Sequence, residues 1–241
     1  MNSPDWLTAR PVAHRGLHDA ARGVLENTPS SVTAAMAAGY GIEVDLQITA
    51  DGEAMIYHDD ALGRLTEGNG RLAAMTAADL RRAPFKATAD RMISLGELCE
   101  LVAGRATLVL ELKSHFDGDR RLPLRVAEVL RGYPAPVAVM SFDPAQMALV
   151  REAAPQLLRG LVAERPKRSA AAAERARFLR QAWASRPQFI AYSVADLPSA
   201  LPLIARYAMR LPLLTWTVRS EEDRRRAARW ADQMIFEGFR P

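Results

Sequence analysis

Short apolar, β-rich runs recur along the whole chain, at 11–14, 42–48, 107–112, 137–141, 158–162, 189–192, 213–217 and 233–236. Between them lie stretches with helical spacing and helix-start residues. Thr28-Pro29 opens "SSVTAAMAAG", which closes at Gly39. Ser94 stands three residues before Glu97, a capping-box spacing ahead of "LCELVAG". Asp143-Pro144 opens "AQMALVREA", Ser169 precedes the Ala-rich "AAAAERARFLRQAW", and Ser220 stands three residues before Asp223. Eight strands alternating with helices predict an α/β protein with a parallel sheet. At 241 residues the natural closed form is a (β/α)8 TIM barrel, with an open doubly wound sheet as its competitor. No linker divides the chain, so a single domain over 1–241 is expected. Residues 59–92 have glycines but little strand pattern, and they read as a short insertion after the second strand.

Composition narrows this picture without redirecting it. Hydrophobic residues make up 49% and charged residues 25%, which is enough for a large core. The net charge of +4 is mild and scattered, and the arginines lack interleaved aromatics, so no nucleic-acid surface is expected. The single cysteine, Cys99, lies at helical spacing from Leu95, Leu98 and Val102, as a packed residue would. No apolar run approaches the ~20 residues that span a bilayer, and the start of the chain does not read as a signal peptide. A cytoplasmic protein without stable membrane insertion is expected. "GYG" at 39–41 leads into a strand rather than a helix, so it is no dinucleotide fingerprint. Cys/His spacing for zinc is also missing.

The chemistry is concentrated in "GIEVDLQITADGEAMIYHDD". Strand side chains alternate, so Ile42, Val44, Leu46 and Ile48 share one face while Glu43, Asp45 and Gln47 share the other. In a barrel the first face meets the helices and the second points inward. Two inward carboxylates repel and lose hydration. Either a divalent cation or a basic partner would relieve them. "TLVLELK" adds Glu111 to the inward face, and three converging acids with oxygen ligands alone suit Mg²⁺ or Ca²⁺. Lys113, two residues further along, either neutralises Glu111 or binds an anionic oxygen. His14 and His58 both end strand-like runs near these acids, where a group titrating near neutrality can serve as acid or base. Arg15 offers a planar donor fork suited to phosphate. Asp59 is placed to orient a histidine or approach a metal. His18, His115 and Asp60 carry no assigned role.

The order "HRG", "ENT", "IEVDLQITADGEAMIYHDD", "LELK", "SF", "WTV" closely resembles the glycerophosphodiester phosphodiesterase family, from Ala13 to about Val218. The resemblance implies a (β/α)8 barrel that uses a divalent cation, Mg²⁺ or Ca²⁺, to cleave small glycerophosphodiesters to glycerol 3-phosphate and an alcohol. It implies His14 and His58 as the catalytic pair and Glu43, Asp45 and Glu111 as metal ligands. Arg15 and Lys113 correspond to phosphate contacts, Asn27 to the family asparagine near the site, and Trp216 to the aromatic residue lining the pocket. Arg219 stands where Asn is common after "WTV", and "MIFEGFRP" replaces the common "TD-P" ending. Glu237 and Phe239 therefore occupy positions that shape the alcohol or glycerol end of the pocket. Two rival readings remain. One is lysophospholipase D-like action on lipid phosphodiesters, with Phe236 and Phe239 as a greasy rim. The other is a barrel that binds a phosphodiester without turning it over.

Overall fold

In the computed structural model, which describes residues 4–165 and 180–241, the strands close into a ring. Eight of them are parallel: β1 (Val12–Ala13), β2 (Gly41–Ile48), β4 (Leu108–Leu112), β5 (Val137–Ser141), β6 (Leu158–Ala163), β7 (Phe189–Ser193), β8 (Leu213–Val218) and β9 (Gln233–Phe236). The ring order is β1-β9-β8-β7-β6-β5-β4-β2, and a β1–β2 pairing closes it. A ninth strand, β3 (Ala54–Ile56), lies outside the ring and runs antiparallel to β2. The expected TIM barrel is therefore present, with β3 as the return arm of a hairpin that turns at Asp51-Gly52.

The period-two reading of β2 and β4 corresponds to two distinct packing layers. Ile42, Val44 and Leu46 are fully buried against the helical shell, together with Leu108, Leu110 and Leu112. Inside the ring, Val12, Val109, Met140, Val162, Phe189, Leu214 and Ile235 form a second apolar cluster, joined by Leu7 from an N-terminal 3₁₀ turn (Asp5–Leu7). Gly160 is needed here, because a Cβ at that position would lie 2.4 Å from the Phe189 ring. The apolar cluster fills the strands' N-terminal half, while charged inward residues occupy the C-terminal half, where barrel chemistry is built.

The helix starts follow their capping residues. Thr28 and Ser31 cap α1 (Pro29–Ala37), Ser94 and Glu97 cap α3 (Leu95–Val102), Asp143 caps α5 (Pro144–Ala153), and Ser220 caps α7 (Glu221–Trp230). Two further helices, α4 (Arg121–Val129) and α6 (Ala200–Tyr207), were not expected. Neither has a side-chain cap, and each carries a proline (Pro123, Pro202) in its first turn. There a missing N–H costs little, because that donor would be unsatisfied anyway. The insertion is more than a loop. It contains α2 (Ala77–Arg82) and a Thr66–Phe85 bridge, and its Leu62, Leu72, Leu80 and Phe85 pack on Met55 and Tyr57 to form a small separate core. Most of the helix expected after Ser169 lies outside the described residues. Phe236 is not a rim residue: it is fully buried, edge-on to Tyr40 at 5.0 Å. It lies in the outer layer because Ile235, its neighbour in β9, faces inward.

Candidate active site

The carboxylates of the site come from two neighbouring strands. Parallel pairing sets Asp45 of β2 directly opposite Glu111 of β4. Glu43 lies two residues earlier on the same face of β2. Their carboxylates come together with ligand oxygens all within 4.8 Å of one another, at 1% exposure for Glu43 and Asp45 and 9% for Glu111. Glu43 Oε1 is buried without a hydrogen-bond partner. Burial pushes Glu43 well above the ordinary carboxylate range, and the charges of Asp45 and Glu111 add to the shift. Glu111 is raised for the same reasons. Asp45 goes the other way: burial pushes it up, but Lys113 and Arg15 outweigh that and hold it well below its ordinary value.

Lys113 Nζ lies 2.8 Å from both Asp45 Oδ1 and Glu111 Oε1. The Arg15 main-chain N–H donates to Glu43 Oε2 at 2.9 Å, while its Nε lies 3.3 Å from Asp45 Oδ2. Arg15 also donates to Glu26 at 2.7 Å. Asn27 brackets Asp45, donating through Nδ2 to Oδ2 at 2.8 Å and accepting from the Asp45 main-chain N–H at 3.2 Å. Arg15 and Asn27 both adopt left-handed backbone, at φ 55°. The turn between them packs so tightly that a Cβ on Gly16 (φ +78°) would lie 2.8 Å from the Ser31 carbonyl carbon. That turn aims the Arg15 amide and the Asn27 carboxamide at β2.

Both histidines reach this cluster, and the charge of each bears on Asp45. His14 follows β1 and is 9% exposed. Its Nδ1 is hydrogen-bonded to Glu237 Oε2, and its Nε2 lies 3.9 Å from Glu43 Oε2. Burial lowers the His14 pKa, and the hydrogen bond to Glu237 offsets only part of that. His58 follows β3, and its Nδ1 lies 2.8 Å from Asp59 Oδ1. Asp59 in turn accepts from Arg64 Nε at 2.6 Å. Trp216 is half-buried, edge-on to Phe142 at 5.5 Å, with its Nε1 buried and unpartnered. His14, Arg15, Asn27, Glu43, Asp45, His58, Glu111, Lys113 and Trp216 thus lie at or just past the C-terminal ends of the strands, whereas Phe236 does not join them.

Glu26 and Arg64, which join the Arg15 and Asp59 sides, escaped the sequence reading, and Glu237, expected only to shape the end of the pocket, proves to touch His14. Glu237 had a usable signal: it is two residues past inward-facing Ile235, so strand alternation carries it into the barrel mouth. Glu26 and Arg64 sit outside regular elements, where no periodicity marks them.

Two hollows flank the cluster. One, of about 680 Å³, is bordered by Leu17, His18, Arg22, Glu237 and Phe239. The other, of about 170 Å³, is bordered by Gln47, Asp60, Lys113, His115 and Gln146.

All donors in the carboxylate cluster are hard oxygens, and one of them is buried with nothing to pair with. This set fits a divalent cation of the Mg²⁺ or Ca²⁺ type and does not fit zinc, which favours nitrogen and sulfur.

The glycerophosphoryl diester phosphodiesterase family matches over residues 14–239. A glycerophosphodiester phosphodiesterase of Caldanaerobacter subterraneus is 29% identical over 161 residues, 63% of this chain and 65% of the relative. Glycerophosphodiester phosphodiesterase 1 of Rattus norvegicus is 32% identical over 117 residues, 44% of this chain and 34% of the relative. The chain therefore spans less than two thirds of the length of these relatives. Among solved structures, an Oleispira antarctica phosphodiesterase in complex with its product sn-glycerol-3-phosphate superimposes with a TM-score of 0.79 at 19% identity, covering 96% of this chain and 94% of that one. A glycerophosphodiester phosphodiesterase of Thermotoga maritima superimposes at 0.72 with 22% identity, covering 94% of each. At these identities the likeness establishes the shared barrel. The sequence match over nearly the whole length carries the assignment: the chain belongs to the glycerophosphoryl diester phosphodiesterase family.

Proposed function

We propose that residues 1–241 act as one catalytic domain that hydrolyses small glycerophosphodiesters to glycerol 3-phosphate and an alcohol, with a divalent cation and two histidines. The observation that carries this reading is the buried carboxylate triad with two imidazoles beside it, each held at Nδ1 by its own carboxylate. A carboxylate only accepts, so each neutral ring keeps its proton on Nδ1 and presents a bare Nε2 to the substrate. One Nε2 takes the proton of the attacking group as the new P–O bond forms; the attacker is water, or the substrate's own neighbouring hydroxyl, in which case water opens the resulting cyclic phosphate in a second step. The other ring, protonated, gives its proton to the departing alcohol oxygen as the old P–O bond breaks.

Glu43, Asp45 and Glu111 would hold the cation, which supplies charge neutralisation on the phosphoryl oxygens. The buried carboxylates outnumber the two cations, Arg15 and Lys113, that lie against them, so a divalent ion would relieve the excess negative charge. Arg15 and Lys113 orient the non-bridging oxygens, and Trp216 offers its free Nε1–H and ring face to the organic part. The 680 Å³ hollow beside Glu237, with Leu17 and Phe239 on its border, favours a second reading in which a longer, lipid alcohol is accepted. No helix among the described residues is long and apolar enough to cross a membrane, and a cytoplasmic location belongs to the same proposal.

The test is a panel of glycerophosphodiesters incubated with the pure protein, with and without chelator, followed by separate restoration of Mg²⁺, Ca²⁺ or Mn²⁺. Release of glycerol 3-phosphate that stops with chelator and returns with one ion supports the reading, and chelator-insensitive or absent release rejects it. Glycerophosphocholine against lysophosphatidylcholine separates the water-soluble from the lipid version.

A further inference from the structure

We propose that Glu237 is a positioning residue for His14 and that Arg219 positions Glu237, so that three strand ends act as one unit behind the proton-transfer nitrogen. Glu237 Oε2 bonds His14 Nδ1, and Glu237 Oε1 accepts from Arg219 Nε at 2.6 Å. His18 Nε2 stands 3.6 Å from the same Oε2. The backbone supports this geometry. The His14 N–H donates to the Phe236 carbonyl at 2.9 Å, and the Glu237 N–H donates to the Val218 carbonyl at 3.1 Å. The ends of β1, β9 and β8 are therefore tied together before any side chain is considered.

The side chains then divide the work. Arg219 takes one carboxylate oxygen and leaves the other to the imidazole. With Nδ1 occupied, the ring cannot flip without losing that bond, and Nε2 stays on the Glu43 side at 3.9 Å. A carboxylate behind an imidazole fixes tautomer and ring plane together and steadies the imidazolium that forms during turnover. Arg219 and Glu237 are joined directly by the Nε–Oε1 contact and act as a pair.

The inference rests on the reading of His14 as a proton-transfer group, and its test has an arm that does not need turnover. In the 241-residue chain with ¹⁵N-labelled histidine, His14 is expected to show a downfield, hydrogen-bonded Nδ1–H proton. That signal shifts upfield in Glu237→Gln and vanishes in Glu237→Ala. On a hydrolysed glycerophosphodiester, Glu237→Gln is expected to lower kcat by ~10–100-fold with KM within about threefold, and Glu237→Asp to recover part of the loss. Arg219→Ala, at a half-exposed side chain, serves as a second variant that folds. It loses less, and the double variant Glu237→Gln, Arg219→Ala is no worse than Glu237→Gln alone. Unchanged kcat in Glu237→Gln with only a lower Tm overturns the inference, as do additive losses or an absent Nδ1–H signal in the parent. A parent with the signal but without hydrolysis of any diester sinks the proposed function and leaves the positioning intact.

Discussion

The two histidines are held in the same way at Nδ1 and by very different means. The partner of His58 is the next residue, Asp59, and the ring lies near the surface at 33% side-chain exposure. The partner of His14 is 223 residues away, and its ring is buried at 11% side-chain exposure. Asp59 is steadied by Arg64 from the insertion, which also grips Glu26. Glu237 is steadied by Arg219 from the neighbouring strand end. One arrangement is local and solvent-screened. The other exists only because the barrel closes and brings β9 beside β1.

The comparison breaks most visibly at the rings themselves. His14→Ala and His58→Ala are each expected to cut kcat by ~10²–10⁴-fold while circular dichroism and Tm stay near the parent. Near-parental turnover in either would falsify that ring's assignment. The carboxylates behind them should separate. Glu237→Gln is expected to cost ~10–100-fold, and Asp59→Asn less than ~10-fold, because water can replace the partner of a ring that is a third exposed. Equal losses, measured side by side in kcat, would show that burial does not distinguish the two arrangements.

Between the rings lies the carboxylate triad. Addition of Mg²⁺ or Ca²⁺ at ~100 Kd is expected to stabilise the fold by ~2.7 kcal/mol, or ~5–10 °C in Tm for a chain of this size. Glu111→Gln should abolish the response in a thermal melt of the chelator-treated protein. A Tm that ignores both ions would exclude the triad as their site.

The smallest expected effect is acid sensitivity on the His58 side. Burial pushes Asp59 and Glu26 up, but hydrogen bonds from Arg64 outweigh it, so both sit below their ordinary values of 3.8 and 4.5. A lowered carboxylate stabilises the fold above its unfolded value, and the contribution disappears as pH falls through the folded one. Arg64→Ala should therefore lower Tm near neutrality by no more than ~2–4 °C, since exposed pairs contribute under about 1 kcal/mol, and the gap should close below about pH 4. A gap that widens in acid would reverse the sign of this reading.

Much of this site could be read in the sequence, for a local reason. Alternation along "IEVDLQI" and "LVLEL" sets Glu43, Asp45 and Glu111 on the inward face before any partner strand is known. Thr28, Ser94, Asp143 and Ser220 marked helix starts because capping is settled within one turn. The helices α4 and α6 escaped because an uncapped start with a proline in the first turn carries no such mark. The same alternation, carried two residues past Ile235, would have turned Glu237 inward and Phe236 outward, but it does not say what Glu237 meets.

The sequence alone thus determined which faces carry charge, which residue types gather at the strand ends, and that the elements alternate into a barrel. These follow from backbone geometry repeated every two or every 3.6 residues. Only the tertiary structure decided which carboxylate stands behind His14, that Lys113 bridges Asp45 and Glu111, and that the insertion supplies Arg64. Those contacts join residues whose separation along the chain bears no relation to their separation in space, because ring closure and strand register fix their distances.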